Sequence, residues 1–124
     1  MTKITVLGGA GFIGSYLIKG LVILGYKVSA LDIVPRPNFL NDLGYGVDWT
    51  IGSTLNPKDL RKALTGSSKV IHLASSAIPS GDQMQTLSDM TNDIAGLANI
   101  LNIMAEEGVS EILFSSSGGT VYGD

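Results

Sequence analysis

The sequence contains no cysteine, a single histidine and only 15% charged residues. Without cysteine there can be no disulfides, thiolate nucleophiles or cysteine-ligated metals, and we expect no metal site. The net charge is −3 and no basic run occurs, which argues against a nucleic-acid partner. No apolar run approaches the length of a membrane span, and Met1-Thr2-Lys3 leaves no room for a signal peptide before the first apolar segment. We therefore expect a cytoplasmic protein with no membrane partner.

Apolar residues and glycine are abundant instead. Apolar residues make up 44% of the 124 positions, and 16 positions are glycine. A chain of this length and composition corresponds to about one domain with a sizeable core. No internal repeat or low-complexity segment interrupts it.

The most informative stretch opens the chain. The apolar run from Ile4 to Leu7 predicts a buried parallel strand, and a glycine-rich turn follows it at residues 8–14. An amphipathic helix is predicted next, with its inward face at positions 13, 16, 17, 20, 21 and 24 and its end at Gly25. A helix N-terminus preceded by glycines binds phosphate, because its backbone N–H groups are unpaired and no side chain obstructs them.

The glycine spacing fits a dinucleotide-binding fingerprint. Gly9, Gly11 and Gly14 match the G-x-G-x-x-G form, while Gly8, Gly11 and Gly14 match a wider-spaced relative. The alternative interpretation is a glycine turn that merely joins a strand to a helix. Because the motif follows a predicted strand and precedes a predicted helix, the context favours dinucleotide binding.

A carboxylate follows at the position where such a site needs one. Lys27–Asp32 is predicted as the second strand, and Asp32 lies 18 residues after Gly14. A carboxylate there accepts hydrogen bonds from the adenosine ribose hydroxyls and repels a 2′-phosphate, which favours NAD over NADP. Two observations oppose this: Asp32 would also suit a solvent-facing loop, and Arg36 is close enough in sequence to hold a 2′-phosphate. We predict NAD.

The remaining elements alternate between strand and helix. An irregular connection at 33–46, with a helical turn around 39–43, leads to a third strand at 47–51. Asn56 and Pro57 begin a helix that buries Leu60, Ala63 and Leu64 and ends at Gly66. The rest of the chain is predicted to form a fourth strand at 69–74, a polar loop at 77–86, a long helix from 87 to Gly108 and a fifth strand at 111–114.

This alternation predicts an α/β fold, a doubly wound parallel Rossmann-like sheet with strand order 3-2-1-4-5. His72 lies within the fourth strand, so we assign it a packing role rather than a catalytic one. Leu87, Met90 and Met104 of the long helix are likewise predicted to pack.

Several blocks together resemble one family. They are Gly-Gly-Ala-Gly-Phe-Ile-Gly at 8–14, Asp32, Val-Ile-His-Leu-Ala at 70–74, and Ser-Ser-Ser-Gly-Gly-Thr-Val-Tyr-Gly at 115–123. The sequence resembles the extended short-chain dehydrogenases, and more narrowly the NAD-dependent epimerase/dehydratase branch typified by UDP-glucose 4-epimerase. The resemblance implies an enzyme that uses bound NAD to oxidise a sugar hydroxyl transiently. It also implies a nucleotide-sugar substrate, most simply a UDP-sugar. Because a sheet that ends at the fifth strand exposes an edge and apolar helix surface, we also expect a homo-oligomer.

The resemblance assigns roles to individual residues. It implies that the pyrophosphate is held largely by backbone groups, that Asp32 and Ile33 flank the adenosine ribose, and that Ser53 stands where relatives carry an adenine-binding aspartate. Backbone groups of the turn and the residues on the nicotinamide side complete the predicted cofactor site: Gly8, Gly11, Phe12, Ile13, Gly14, Leu73, Ala74 and Ser75. The family's asparagine in the long helix aligns with either Asn92 or Asp93.

The catalytic residues are only partly present. The family's catalytic serine or threonine aligns with Gly118 or with Ser117, depending on which neighbouring block is matched, and Ser117 and Thr120 are the candidate hydroxyls. The alternative is that these serines only cap the end of the strand. The family's Tyr-x-x-x-Lys pair is absent, since Tyr122 has no lysine four residues later, and a tyrosine with its ordinary pKa near about 10 is no base at neutral pH.

We therefore interpret residues 1–124 as a dinucleotide-binding Rossmann domain that lacks a substrate-binding region. The predicted function is the NAD-binding portion of a nucleotide-sugar epimerase or dehydratase, truncated and inactive alone. The alternative is a noncatalytic dinucleotide-binding or redox-sensing module, since a fold does not fix a function.

Overall fold

The computed structural model describes residues 2–74 and 83–115, apart from the side chains at 43–45 and 83–86. Strands and helices alternate along these residues, with one 3-10 segment at Asn38–Gly46. The strands are β1 (Lys3–Leu7), β2 (Lys27–Asp32), β3 (Val47–Ile51), β4 (Lys69–His72) and β5 (Glu111–Phe114). The helices are α1 (Phe12–Ile23), α2 (Pro57–Leu64) and α3 (Gln83–Glu107).

The five strands form one parallel sheet in the order β3-β2-β1-β4-β5, as predicted. After β3 the chain returns past β1 and continues on the other side of β1 with β4. At such a switch point the loops after neighbouring strands diverge, which leaves a crevice at the carboxyl ends of the strands. The glycine turn after β1 lies directly beside this crevice.

Two apolar clusters cover the two faces of the sheet. One face packs α2 and α3 against residues such as Leu7, Leu31 and Val70, all of them buried. The opposite face packs α1 and the 3-10 segment against Val6 and Val28. Because both faces are covered, the central strands β1 and β2 are buried along most of their length, as parallel strands usually are.

The helix α2 agrees closely with its prediction. The Asn56 side-chain oxygen accepts from the Lys58 N–H at 3.0 Å and caps the helix, while Pro57 occupies the first helical position. Leu60, Ala63 and Leu64 are fully buried. The chain leaves the helix at Gly66, which has a positive φ.

The inward face of α1 was predicted only in part, because Leu17 and Leu21 pack against the core as predicted but positions 13, 16, 20 and 24 are exposed. The buried positions are Gly14, Ser15 and Ile18, whereas Ile13 and Tyr16 are more than half exposed. This helix is apolar on nearly every side, so its periodicity did not distinguish one face from another. The small residues Gly14 and Ser15 allow the closest approach to the sheet, and they set the face that is buried.

The long helix also differs from its prediction. It begins at Gln83, so positions 83–86 are helical rather than part of a loop. Met104 is buried as predicted, but Leu87 and Met90 are 62% and 53% exposed. With 25 residues α3 is roughly 37 Å long, whereas a strand the length of β4 is roughly 13 Å long, so only part of the helix can lie over the sheet. Among the described residues, no helix combines the length and apolar character that crossing a membrane requires.

Truncating Leu60 tests the packing of α2 against the sheet. Leu60→Ala removes a fully buried side chain, so we expect the free energy of unfolding in urea to fall by about 2 to 5 kcal/mol. Leu101→Ala, in α3, removes a side chain that is 50% exposed and serves as the control. Equal losses for the two variants would contradict the packing described here.

Candidate functional site

A groove of about 400 Å³ runs along the carboxyl ends of the first four strands. This volume lies within the range of small-molecule sites, which is about 300 to 1,000 Å³. Its walls come from the glycine turn, the ends of β2 and β3, the residues after β4 and the middle of α3. The lining residues are Gly8, Gly11, Leu31, Asp32, Ile33, Gly52, Ser53, Thr54, Leu55, Leu73, Ala74, Asn92 and Asp93.

Neighbouring backbone leaves no room for a side chain at two positions of the glycine turn. Gly8 has a φ of +91°, and a Cβ there would lie 2.7 Å from the Ala74 backbone nitrogen. A Cβ on Gly14 would overlap the Gly8 carbonyl oxygen and lie 3.1 Å from the Gly9 Cα. Gly14 therefore lets the start of α1 rest directly on the turn, and Gly8 lets the turn approach the backbone that follows β4.

Gly11 differs from these two glycines. Among the described residues, a Cβ on Gly11 would find only the Gly8 carbonyl oxygen, at an ordinary contact distance of 3.6 Å, and its φ of −68° suits any residue. The described part of the protein therefore does not require glycine at this position. Gly11 lines the groove and is the N-cap of α1, a helix start with no side-chain cap. The space that a side chain would fill is open to a ligand approaching the backbone N–H groups.

The Asp32 carboxylate joins the glycine turn to the end of β2. Its Oδ2 accepts from the Ala10 N–H at 2.9 Å, and its Oδ1 accepts from the Val34 N–H at 3.4 Å. Each carboxylate oxygen can accept a further hydrogen bond, so both keep capacity toward a ligand in the groove. Asp32 is half-buried and lines the groove beside Ile33. A ligand with vicinal hydroxyls and a phosphate group fits this combination of carboxylate and bare turn.

Arg36 does not line the groove. One of its terminal nitrogens donates to the Leu40 carbonyl in the 3-10 segment, and its Nε is buried with no hydrogen-bond partner among the described residues. The guanidinium is therefore held by the 3-10 segment, on the face of the sheet that packs against α1. This placement removes the principal objection to NAD.

The other predicted site residues divide into three groups. Ser53, Leu73 and Ala74 line the groove together with the turn and Asp32, although Leu73 and Ala74 follow β4 rather than end it. Phe12 and Ile13 form the first turn of α1, and their side chains are 80% and 65% exposed. Ser75, Ser117 and Thr120 lie outside the described residues, as do Gly118 and Tyr122.

Thr54 and Leu55 were not predicted as parts of the groove, whereas Asn92 and Asp93 were named as alternatives for the family's asparagine. Thr54 and Leu55 line the groove beside Ser53, and both Asn92 and Asp93 line it from α3. A glycine directly after a strand was the available signal, because Gly52 follows β3 as Gly8 follows β1. The two candidates for the family's asparagine therefore both face the same groove.

His72 is buried in β4 and lies outside the groove lining. It is 7% exposed, and its ring packs against Phe114 with the ring centroids 4.9 Å apart. Burial lowers the pKa of His72 below its ordinary 6.5 because desolvation disfavours the charged ring. Its own backbone hydrogen bond and the charge of Asp93 act in the opposite direction.

The lowered pKa of His72 has a consequence for stability. The unfolded chain binds a proton at this site near pH 6.5 while the folded chain still does not, so stability is lost as the pH falls below 6.5. We expect the free energy of unfolding to decrease between pH 7.5 and 5.5 by more in the wild type than in His72→Asn. Urea titrations at both pH values measure this difference, and parallel pH dependences would contradict it.

Comparisons with known proteins find similar sequences along nearly the whole of this chain. A sequence model of the 3-beta hydroxysteroid dehydrogenase/isomerase family matches residues 5–124. The chain is 32% identical over 120 residues to the decarboxylating sterol-4-alpha-carboxylate 3-dehydrogenase of Bos taurus, covering 97% of this chain and 32% of the relative. It is 32% identical over 123 residues to a putative UDP-glucose 4-epimerase of Methanocaldococcus jannaschii, covering 98% and 40%.

A solved structure is also similar to nearly the whole of this chain. UDP-glucose 4-epimerase from Bifidobacterium longum, in complex with NAD+ and UDP, superimposes with a TM-score of 0.84 at 28% identity. The match covers 98% of this chain and 38% of the epimerase. The chain thus spans between about one third and two fifths of the length of these relatives.

Proposed function

The chain belongs to the 3-beta hydroxysteroid dehydrogenase/isomerase family, and because UDP-glucose 4-epimerases are among its relatives, we propose that it is the NAD-binding portion of an enzyme that transiently oxidises a sugar hydroxyl. The resemblance to NAD-dependent epimerases and dehydratases is confirmed by this membership and by the epimerase relatives. The cofactor of this family is NAD, as predicted. The observation that carries the proposal is the continuous groove that joins the bare glycine turn to the Asp32 carboxylate.

In this proposal the cofactor site extends along the groove. Backbone groups of Gly8, Gly11, Phe12, Ile13 and Gly14 hold the pyrophosphate, with the α1 N-terminus supplying the partial positive charge. The Asp32 carboxylate binds the adenosine ribose hydroxyls beside Ile33. Ser53 meets the adenine, and Leu73, Ala74 and Ser75 cover the nicotinamide side.

The chemical step needs groups beyond the cofactor site. When bound, NAD supplies reversible hydride acceptance from a hydroxyl-bearing carbon. We assign the hydroxyls of Ser117 and Thr120 to the substrate hydroxyl, where they would orient it by hydrogen bonding. Residues 1–124 form the dinucleotide-binding domain of the protein in this proposal, and by themselves they are inactive because no Tyr-x-x-x-Lys pair is present in them.

The substrate is a nucleotide sugar, with a UDP-sugar as the first choice. UDP-glucose 4-epimerases occur among both the sequence relatives and the solved neighbours. A 4-carboxysterol is the second candidate substrate. The bovine relative, which is named for that substrate, has the same 32% identity to this chain as the putative epimerase. The noncatalytic module remains the alternative from a different class.

Turnover by the product of the intact gene distinguishes these functions. We expect the protein, supplied with NAD, to interconvert UDP-glucose and UDP-galactose, as followed by NMR. Formation of NADH with a 4-carboxysterol, and no change in the UDP-sugars, would replace the sugar assignment with the sterol one. Binding of NAD without turnover of either substrate would favour the noncatalytic module.

We also propose that the protein is a cytoplasmic homo-oligomer. Leu87, Met90, Ile94 and Leu101 expose apolar surface along α3, and Leu113 and Phe114 do so on β5. Large exposed apolar patches on soluble domains are usually covered by a partner. Light scattering at high protein concentration measures this directly, and a monomer under those conditions would contradict it.

A further inference from the structure

One wall of the groove has no regular secondary structure of its own. Residues 52–55, here called the β3 wall, connect β3 to α2 and all line the groove. An irregular segment can recognise a ligand only if other elements fix its position. The β3 wall is fixed by hydrogen bonds from two different helices.

The first contact comes from the start of α2. The Asp59 Oδ2 accepts from the Ser53 N–H at 3.0 Å. Gly52 makes this approach possible, because a Cβ at that position would overlap the Asp59 carboxylate. Within the wall, the Ser53 hydroxyl oxygen accepts from the Leu55 N–H at 3.0 Å. The Ser53 backbone and its side chain are therefore both held in place.

The second contact comes from the middle of α3. The Asn99 side-chain amide donates to the Thr54 carbonyl at 3.1 Å. Gly96 lies one turn earlier on the same face of the helix, is buried, and faces the Thr54 side chain. A Cβ on Gly96 would lie 2.7 Å from the Thr54 Oγ1, so the absence of a side chain sets how closely α3 approaches the wall.

We propose that Asn99, together with Asp59 and the gap at Gly96, positions the β3 wall so that it recognises the adenine base of the dinucleotide. This inference rests on the proposed function, which assigns the groove to NAD. Asn99, Asp59 and Gly96 are positioning residues, since none of them lines the groove. They act through the backbone of Ser53 and Thr54. Recognition of the base, rather than of the phosphates or the ribose, is therefore the property that they control.

The test compares NAD with nicotinamide hypoxanthine dinucleotide, which differs from NAD only at the base. In calorimetric titrations we expect the wild type to bind NAD about tenfold more tightly than the hypoxanthine analogue, the effect of about one hydrogen bond. In Asn99→Leu we expect this ratio to fall to near one. Asn102→Leu changes an exposed asparagine of the same helix and should keep the wild-type ratio.

Gly96→Ala gives a second and independent test. Alanine is the better helix former, so this change should not destabilise α3 itself, yet its Cβ pushes Thr54 out of position. We expect the base preference to disappear here as well. Gly20→Ala makes the same change in α1, where nothing lies within 4 Å of the added Cβ, and should leave the preference intact.

The outcomes separate this inference from the function on which it rests. A wild type that binds neither dinucleotide overturns the proposed function. A wild type that binds both equally, or a base preference that survives in Asn99→Leu and Gly96→Ala, overturns the inference while the proposed function stands. Loss of the preference in Asn102→Leu or Gly20→Ala would also overturn it, because the effect would then not depend on the wall.

Discussion

Gly14→Ala is expected to destabilise the protein, whereas Gly11→Ala is expected to leave it folded but unable to bind NAD tightly. A Cβ added at Gly14 would overlap the Gly8 carbonyl oxygen, and backbone on both sides must shift to admit it. Such overpacking costs about 2 kcal/mol of unfolding free energy. A Cβ on residue 11 meets nothing closer than 3.6 Å, and the main cost there is the poorer N-cap, less than about 1 kcal/mol.

The expected effect of Gly11→Ala on binding is large. Two hydrogen bonds from backbone N–H groups to charged phosphate oxygens, each worth about 1.5 kcal/mol, would be lengthened. The affinity for NAD should therefore fall by about a hundredfold. Urea unfolding and calorimetric titration measure the two properties separately. If Gly11→Ala binds NAD like the wild type, the pyrophosphate does not lie over this turn.

The second large effect is expected at Asp32. Asp32→Asn keeps an oxygen that can accept from the Ala10 N–H but removes the negative charge beside the groove. We expect weaker binding of NAD and stronger binding of NADP, because a 2′-phosphate is no longer repelled. The ratio of the affinity for NAD to the affinity for NADP should fall by at least about tenfold. A change of this size needs only about 1.4 kcal/mol of repulsion between the Asp32 carboxylate and the 2′-phosphate.

A charge elsewhere on the surface provides the control for Asp32. Asp48→Asn removes a carboxylate of β3 that lies 3.9 Å from the Lys27 ammonium, and both side chains are well exposed. This variant should keep the wild-type preference for NAD. If the two variants change the ratio equally, the preference reflects net charge and not the position of Asp32. A wild type that prefers NADP would place the Arg36 guanidinium, rather than Asp32, in control of the ribose.

The strand order could be predicted from sequence because it depends on alternation and chain direction. Parallel strands joined by helices allow few arrangements, and a glycine turn after β1 marks the switch point. Local chemistry was equally decisive for α2, where Asn56 and Pro57 specify the helix start by hydrogen bonding and by a fixed φ. In both cases a few residues determine the structure through local geometry.

The errors arose where the pattern itself was ambiguous. The helix α1 is apolar on most of its surface, so the buried face depends on which residues are small enough to approach the sheet, namely Gly14 and Ser15. Leu87 and Met90 were expected to pack because they are apolar, but α3 is much longer than the strands beneath it. The spacing of apolar residues indicates which face of a helix can be buried, but it does not indicate how much of the helix lies over the sheet.

The candidate site was only partly visible in the sequence. Asp32 could be predicted because a fixed distance from the glycine turn brings it to the end of β2. The contact between Asn99 and Thr54 joins residues 45 positions apart, and only the packing of α3 brings them together. Sequence spacing therefore identifies the groups that meet the cofactor more readily than those that hold them in place.

A crystal structure of the protein grown with NAD would test the central claim most directly. We predict that the pyrophosphate lies against Gly8, Gly11 and the first turn of α1, that both adenosine ribose hydroxyls are within hydrogen-bond distance of Asp32, and that the adenine lies against Ser53. Binding of NAD outside this groove, or with the adenosine ribose away from Asp32, would contradict the account.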